Sequence, residues 1–158
     1  MQLSIHFSLE ELILSNTAVR LGIDNTPPED VLANLRMLTN TLETVRGILG
    51  SPIYISSGYR CRLLNNQVGG SSHSWHTLGL AADFICPGFG SPYQIIQTLV
   101  DHNIQYEELI HEFGRWVHIA IPPIGAPPSM DLKTTREVGP GYEKGLHARG
   151  NSGPLIAN

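Results

Sequence analysis

The chain of 158 residues reads as an α+β domain, with helices packed against a small antiparallel sheet. Three observations predict this. One long stretch repeats apolar residues at steps of three and four. Several short apolar runs are bounded by glycine and proline. Two of those runs flank Gly114 closely enough to pair as a hairpin.

The elements follow in order. Ser8-Leu9-Glu10-Glu11 reads as a capping box that opens a short helix, with Ser8 as cap and Glu11 reaching back. Thr26-Pro27-Pro28-Glu29 repeats the device, with proline at the first helical position. The long helix that follows presents Val31, Leu35, Leu38, Leu42, Val45 and Leu49 on one face, and Gly50-Ser51-Pro52 ends it. Ile53-Tyr54-Ile55-Ser56 reads as a strand, Arg60 to Gln67 as a helical turn and Val68 to His73 as a loop. Leu80 to Ile85 is a second strand. Ser91-Pro92 caps a helix running to about His102, with Ile95, Leu99 and Val100 inward. Glu108 to Phe113 and Arg115 to Ile121 form the hairpin.

After Pro122 the character changes. Pro122-Pro123, Pro127-Pro128, Gly139-Pro140-Gly141 and Asn151-Ser152-Gly153-Pro154 interrupt any apolar period. A segment that buries little surface does not offset its ordering entropy. The expectation is one domain over 1–122 and an extended or disordered tail over 123–158, free to dock a partner or a second subunit.

Composition narrows the function classes. The formal net charge is −4 and no lysine precedes Lys133, which argues against a nucleic-acid footprint. No run approaches the roughly 18 apolar residues of a membrane span. Met1 to His6 lacks the basic start and apolar stretch of a signal peptide. The expectation is synthesis in the cytoplasm, with release by lysis or association with a virion as later fates. Cys61 and Cys86 form no Cys-x-x-Cys pair and read as free thiols near the site.

The chemistry sits in Ser74-Trp75-His76-Thr77-Leu78-Gly79-Leu80-Ala81-Ala82-Asp83 and the later Trp116-Val117-His118. Asp83 is the one charge in a buried apolar run, and a buried carboxylate needs a partner or a metal. Gly79 permits a tight turn that brings His76 back over the strand. His118 lies in a second apolar run, and pairing of the two strands would let all three side chains converge. Two imidazoles and a carboxylate can hold zinc with an open fourth position. Taken singly, each is equally an ordinary core or surface residue. His73 is a rival ligand by its His-x-x-His spacing, but its serine and glycine neighbours suggest an exposed loop.

The pattern Ser-x-His-x-x-Gly-x-Ala-x-Asp followed by Trp-x-His resembles the zinc D-alanyl-D-alanine carboxypeptidase family. That family includes phage L-alanyl-D-glutamate endopeptidases, D,D-dipeptidases and, distantly, hedgehog domains. Ser56-Ser57-Gly58-Tyr59-Arg60, the stretch Asn65 to Ser71 and Phe7-Ser8-Leu9-Glu10-Glu11 fit the same resemblance, which spans roughly Phe7 to Pro122. It implies His76, Asp83 and His118 as zinc ligands, Arg60 as the group that holds substrate or oxyanion, and Ser74 as a substrate contact. Many relatives carry an acid three residues before the last histidine, where this chain has Arg115. Glu112, six residues before His118 as in the hedgehog branch, is the candidate general base, with Glu108 and His111 behind it.

The expected function is zinc-dependent hydrolysis of a peptide bond in a peptidoglycan stem peptide, as a D,D-carboxypeptidase or an L-alanyl-D-glutamate-type endopeptidase. The rivals are a catalytically silent zinc-binding module and a phage structural protein acting through partner binding.

Overall fold

The computed structural model describes residues 1–148. Helices α1 (Leu9–Ile13), α2 (Asn16–Leu21) and α3 (Glu29–Leu49) come first, followed by strand β1 (Tyr54–Ser57) and helix α4 (Arg62–Gln67). A 3-10 turn (Trp75–Leu78) leads into β2 (Ala81–Ile85), and α5 (Pro92–Asp101) precedes β3 (Glu108–Glu112) and β4 (Trp116–Ala120). Two further strands, β5 (Asp131–Thr135) and β6 (Tyr142–Lys144), complete the described chain. The strands form one open sheet in the order β1-β2-β4-β3-β5-β6. All neighbours are antiparallel except β3 and β5, which run parallel. The class is α+β with a mostly antiparallel sheet, as the sequence predicts.

Period-two alternation gives the sheet two different faces. Ala82 and Phe84 of β2, Leu109 of β3, and Val117 and Ile119 of β4 join the main core. The apolar stripe of α3, Leu35, Leu38, Leu42 and Val45, is fully buried in that core, as are Ile95, Ile96 and Leu99 of α5. The opposite face carries Asp83, Glu108, Glu112 and His118. The helices thus leave one side of the sheet open for chemistry.

Local signals explain most element ends. Ser8 Oγ accepts from Glu11 N–H at 3.3 Å, and Ser91 with Gln94 closes a full capping box on α5. Gly50 ends α3 in a left-handed conformation with φ 61°. Gly58 is required by close approach. A Cβ there would stand 2.2 Å from the Leu12 carbonyl oxygen, which accepts the next amide, Tyr59 N–H, at 2.7 Å.

Several expectations need correction. Thr26 does not cap α3: the N-cap is Pro28, with no side-chain cap bond, and Thr26 N–H instead donates to Asp24 Oδ1 at 2.9 Å. Val100 is exposed, and Ile96 takes the inward place. Helix α2, too short for a readable period, has no counterpart in the sequence reading.

The larger correction concerns the tail. Residues 131–135 and 142–144 are strands of the main sheet rather than an extended or disordered appendage. Buried polar groups, not an apolar stripe, hold them. Thr134 Oγ1 donates to the Gly145 carbonyl at 2.8 Å and accepts from His147 N–H at 3.0 Å. Thr135 Oγ1 accepts from Phe113 N–H at 2.8 Å. Satisfied hydrogen bonds let both threonines be buried, and hydropathy patterning does not register them. The part of the predicted tail from 149 to 158 lies outside the described residues.

Gly58→Ala is expected to cost about 1–3 kcal/mol in denaturant unfolding, because the added methyl meets backbone. Gly47→Ala, on an open stretch of α3, should instead stabilise by about 0.5–1 kcal/mol.

Candidate metal centre

The register of the central strands builds the site. Asp83 pairs directly with His118 across β2 and β4, and Ile110 of β3 flanks His118 on its other side. His76 arrives from the 3-10 turn, which Gly79 closes with φ 68°. His76 Nε2, Asp83 Oδ1 and His118 Nδ1 converge, with separations of 3.2 Å between the imidazole nitrogens, 2.8 Å from His118 to Asp83 and 3.3 Å from His76 to Asp83. Ligand atoms about 2.0–2.1 Å from a shared tetrahedral zinc lie about 3.3 Å from each other. The donor set and its spacing therefore fit such an ion, and the three residues form a group that could hold a metal. His73 is exposed, outside that group, with its ring 3.1 Å from Ser72 Oγ.

The outer contacts set the ring orientations. His76 Nδ1 lies 2.7 Å from the Gly58 carbonyl, so that nitrogen carries the proton and Nε2 offers its lone pair. On His118 the outward atom is Nε2. It stands 3.3 Å from Glu108 Oε1, an ionic contact that is not aligned as a hydrogen bond, so the buried nitrogen has no hydrogen-bond partner. Lys133 Nζ in turn binds Glu108 at 2.6 Å and Asp131 at 2.7 Å.

The electrostatics separate the titratable groups. Burial pushes the Asp83 carboxyl upward, but the two histidines overcome it and hold Asp83 far below the usual carboxylate range. Burial depresses His76 against the pull of Asp83. For His118 the contacts with Asp83 and Glu108 outweigh burial and raise it to about 9 in the metal-free protein. Glu108 is raised by burial yet brought down to about 2 by His118 and Lys133, so it stays ionised and paired. Glu112 goes the other way, to about 7, through burial first and the neighbouring Asp83 charge second.

These side chains line one cleft of about 440 Å³, with Arg60, Ser74, Trp116 and Tyr142. The hairpin turn sets which face Glu112 presents. Phe113 and Gly114 both have positive φ, and Arg115 N–H donates to the Glu112 carbonyl at 2.9 Å. Glu112 then pairs with Trp116 and shares a face with His118. His111 points to the other face, against His147 and Tyr93. Arg60 reaches Ser57 Oγ at 3.3 Å and Ser74 Oγ at 3.4 Å, while its buried Nε has no hydrogen-bond partner. Neither cysteine lines the cleft, and both are free thiols.

Three positioning residues were missed from sequence. Asn25 donates to the Ile13 and Tyr59 carbonyls at 2.9 Å each and accepts from Cys61 N–H at 2.8 Å, clamping the backbone on both sides of Arg60. Lys133 anchors Glu108, and Tyr142 donates to Glu112 Oε1 at 3.2 Å. Only the alternation of Asp131-Leu132-Lys133-Thr134-Thr135, rich in β-branched threonine, could have flagged the second, and no local signal marks Tyr142.

Elemental analysis should find about one zinc per chain. His76→Ala should lose that metal and His73→Ala should keep it. A second expectation concerns pH. A histidine whose folded pKa is raised stabilises fully below about 6.5 and loses that contribution as pH rises through about 9. The chelator-treated protein should therefore lose thermal stability between those values, and added zinc should remove the decline by displacing the His118 proton.

No curated protein matches this sequence. A family profile described as Peptidase M15 matches residues 5–120, which takes in every residue of the His76, Asp83 and His118 cluster together with Arg60, Ser74 and Glu112. With most of its length matched and a zinc-compatible donor set on the open face of its sheet, the chain belongs to the Peptidase M15 family, a zinc D-alanyl-D-alanine carboxypeptidase-like group whose membership points to zinc-dependent peptidase activity.

Proposed function

We propose that the protein hydrolyses a peptide bond in the stem peptides of bacterial peptidoglycan, with zinc held by His76, Asp83 and His118. The observation that carries this reading is one cleft holding three convergent ligand atoms, a carboxyl near neutrality at Glu112 and a half-buried guanidinium at Arg60. Zinc bound there would act as a Lewis acid that acidifies water and polarises a carbonyl.

The chain's own groups supply the rest. A general base works best with a pKa near the operating pH, and burial brings Glu112 to that range. Glu112 takes a proton from the attacking water as the water oxygen bonds to the carbonyl carbon. It then gives that proton to the leaving nitrogen as the C–N bond breaks, and the remaining proton of the new carboxyl passes to the amine, leaving a carboxylate and an ammonium group. Glu108, the rival base, is committed to Lys133 and His118.

Arg60 makes only two long hydroxyl contacts and no salt bridge among the described residues. A guanidinium held that way has capacity for an incoming carboxylate, which it can bind with two parallel bonds, or for developing oxyanion charge. Stem peptides are rich in such carboxylates. Ser74, in contact with Arg60, is placed to share a substrate atom.

Glu112→Gln should keep zinc and fold while lowering kcat on defined wall peptides by roughly 10²-fold or more. Arg60→Ala should retain zinc and weaken substrate binding and oxyanion stabilisation together. Mass analysis of the products identifies the bond cut. A zinc-loaded parent that cleaves no wall peptide would overturn this reading in favour of a silent binding module.

A further inference from the structure

Two carboxylates, Glu108 and Glu112, stand on the same face of β3, and each is held by a group from the chain beyond Pro122. Lys133 of β5 holds Glu108. Tyr142 of β6 donates its phenol proton to Glu112 Oε1 at 3.2 Å and lines the same cleft. The family match ends at residue 120, so neither partner falls within it.

We infer that Tyr142 is a positioning residue of the peptidase site, carried in by β6 to hold the Glu112 carboxylate in the orientation a general base requires. The inference rests on the reading of Glu112 as that base.

The chemistry of the two clamps differs in the way the two roles demand. A cation held against a carboxylate suppresses its basicity, which suits Glu108 as a fixed partner of His118. A phenol is a neutral donor with one proton. It fixes the carboxylate without neutralising it, and it is too weak an acid to compete in proton transfer at neutral pH.

Tyr142 is itself held in place. The strand pair β5–β6 sets Thr135 opposite Tyr142. Arg136 N–H donates to the Gly141 carbonyl at 2.9 Å, and Arg136 Nε donates to the Tyr142 carbonyl at 3.3 Å. Lys133 Nζ lies 5.9 Å from the centre of the Tyr142 ring, within cation–π range. The ring thus has contacts that survive loss of the hydroxyl, and Tyr142→Phe isolates the hydrogen bond.

The test uses the full chain with glutamate 13C-labelled at the side-chain carboxyl. The Glu112 signal is identified by its absence from Glu112→Gln. The charged groups that act on Glu112 are Asp83 on β2, Glu108 on β3, His118 on β4 and Arg60 before α4, while Lys133 on β5 stands against Glu108 and the Tyr142 ring. None is altered by Tyr142→Phe. Loss of a donor to the charged form should raise the Glu112 midpoint by about one pH unit in the zinc-free protein. With zinc restored, kcat on wall peptides should fall about tenfold or more while KM and zinc content stay unchanged. In a Glu112→Gln background the same substitution should lower the residual rate no further.

An unchanged Glu112 midpoint would overturn the inference. So would a raised KM at constant kcat, which would make Tyr142 a substrate contact instead. If the parent protein cleaves no wall peptide, the proposed function fails, yet the carboxyl titration still decides whether Tyr142 holds Glu112.

Discussion

Three electron-rich atoms on three separate segments must sit within 3.3 Å of one another, and nearly everything else in the structure serves that crowding. Lone pairs at this separation repel unless a proton or a cation lies among them. In the metal-free protein the His118 proton takes that place. The β2–β4 register sets Asp83 against His118, and the Gly58 carbonyl turns His76 to meet them. Gly58 can do so only because it lies against Leu12, so the short first helix contributes to the centre from a distance. A residue with a side chain at position 58 would push apart the support of one ligand and the packing of α1 together.

The sheet divides its labour by parity. One face faces α3 and α5 and is apolar. The other bears ionisable side chains, Asp83, Glu108, Glu112 and His118 among them, whose neighbours set their protonation. Glu108 and Glu112 differ by two residues and share a strand face, yet one is driven to about 2 and the other to about 7. The difference comes from their surroundings: His118 and Lys133 favour the charge on Glu108 over its burial, whereas burial and the Asp83 charge oppose the charge on Glu112 more than the Tyr142 phenol favours it. Among the described residues no helix is long and apolar enough to cross a membrane, which agrees with a sheet and helices arranged around an internal core.

Much of this was legible from the sequence because it rests on periodicity or on strong local chemistry. The α3 stripe, the Ser91 cap, the hairpin at Gly114 and the spacing from His76 to Asp83 all carry their signals in neighbouring residues. What escaped depends on contacts remote in sequence. Asn25 clamps Tyr59 and Cys61, and nothing around Asn25 announces it. The strands after Pro122 are held by buried threonine hydroxyls and by a parallel pairing to β3, and proline and glycine on either side masked them. The side-chain face of Glu112 hinges on two positive-φ residues at the turn, one of them Phe113, a conformation that no residue pattern there announces.

The placement of Tyr142 and Lys133 after the ligands has a consequence for how the site comes into being. A chain leaving the ribosome presents β2, β3 and β4 before β5 and β6. The three candidate metal donors all lie in the part presented first, and the groups that hold Glu108 and Glu112 lie in the part presented last. Until β5 is available the edge of β3 that it covers is open to other strands.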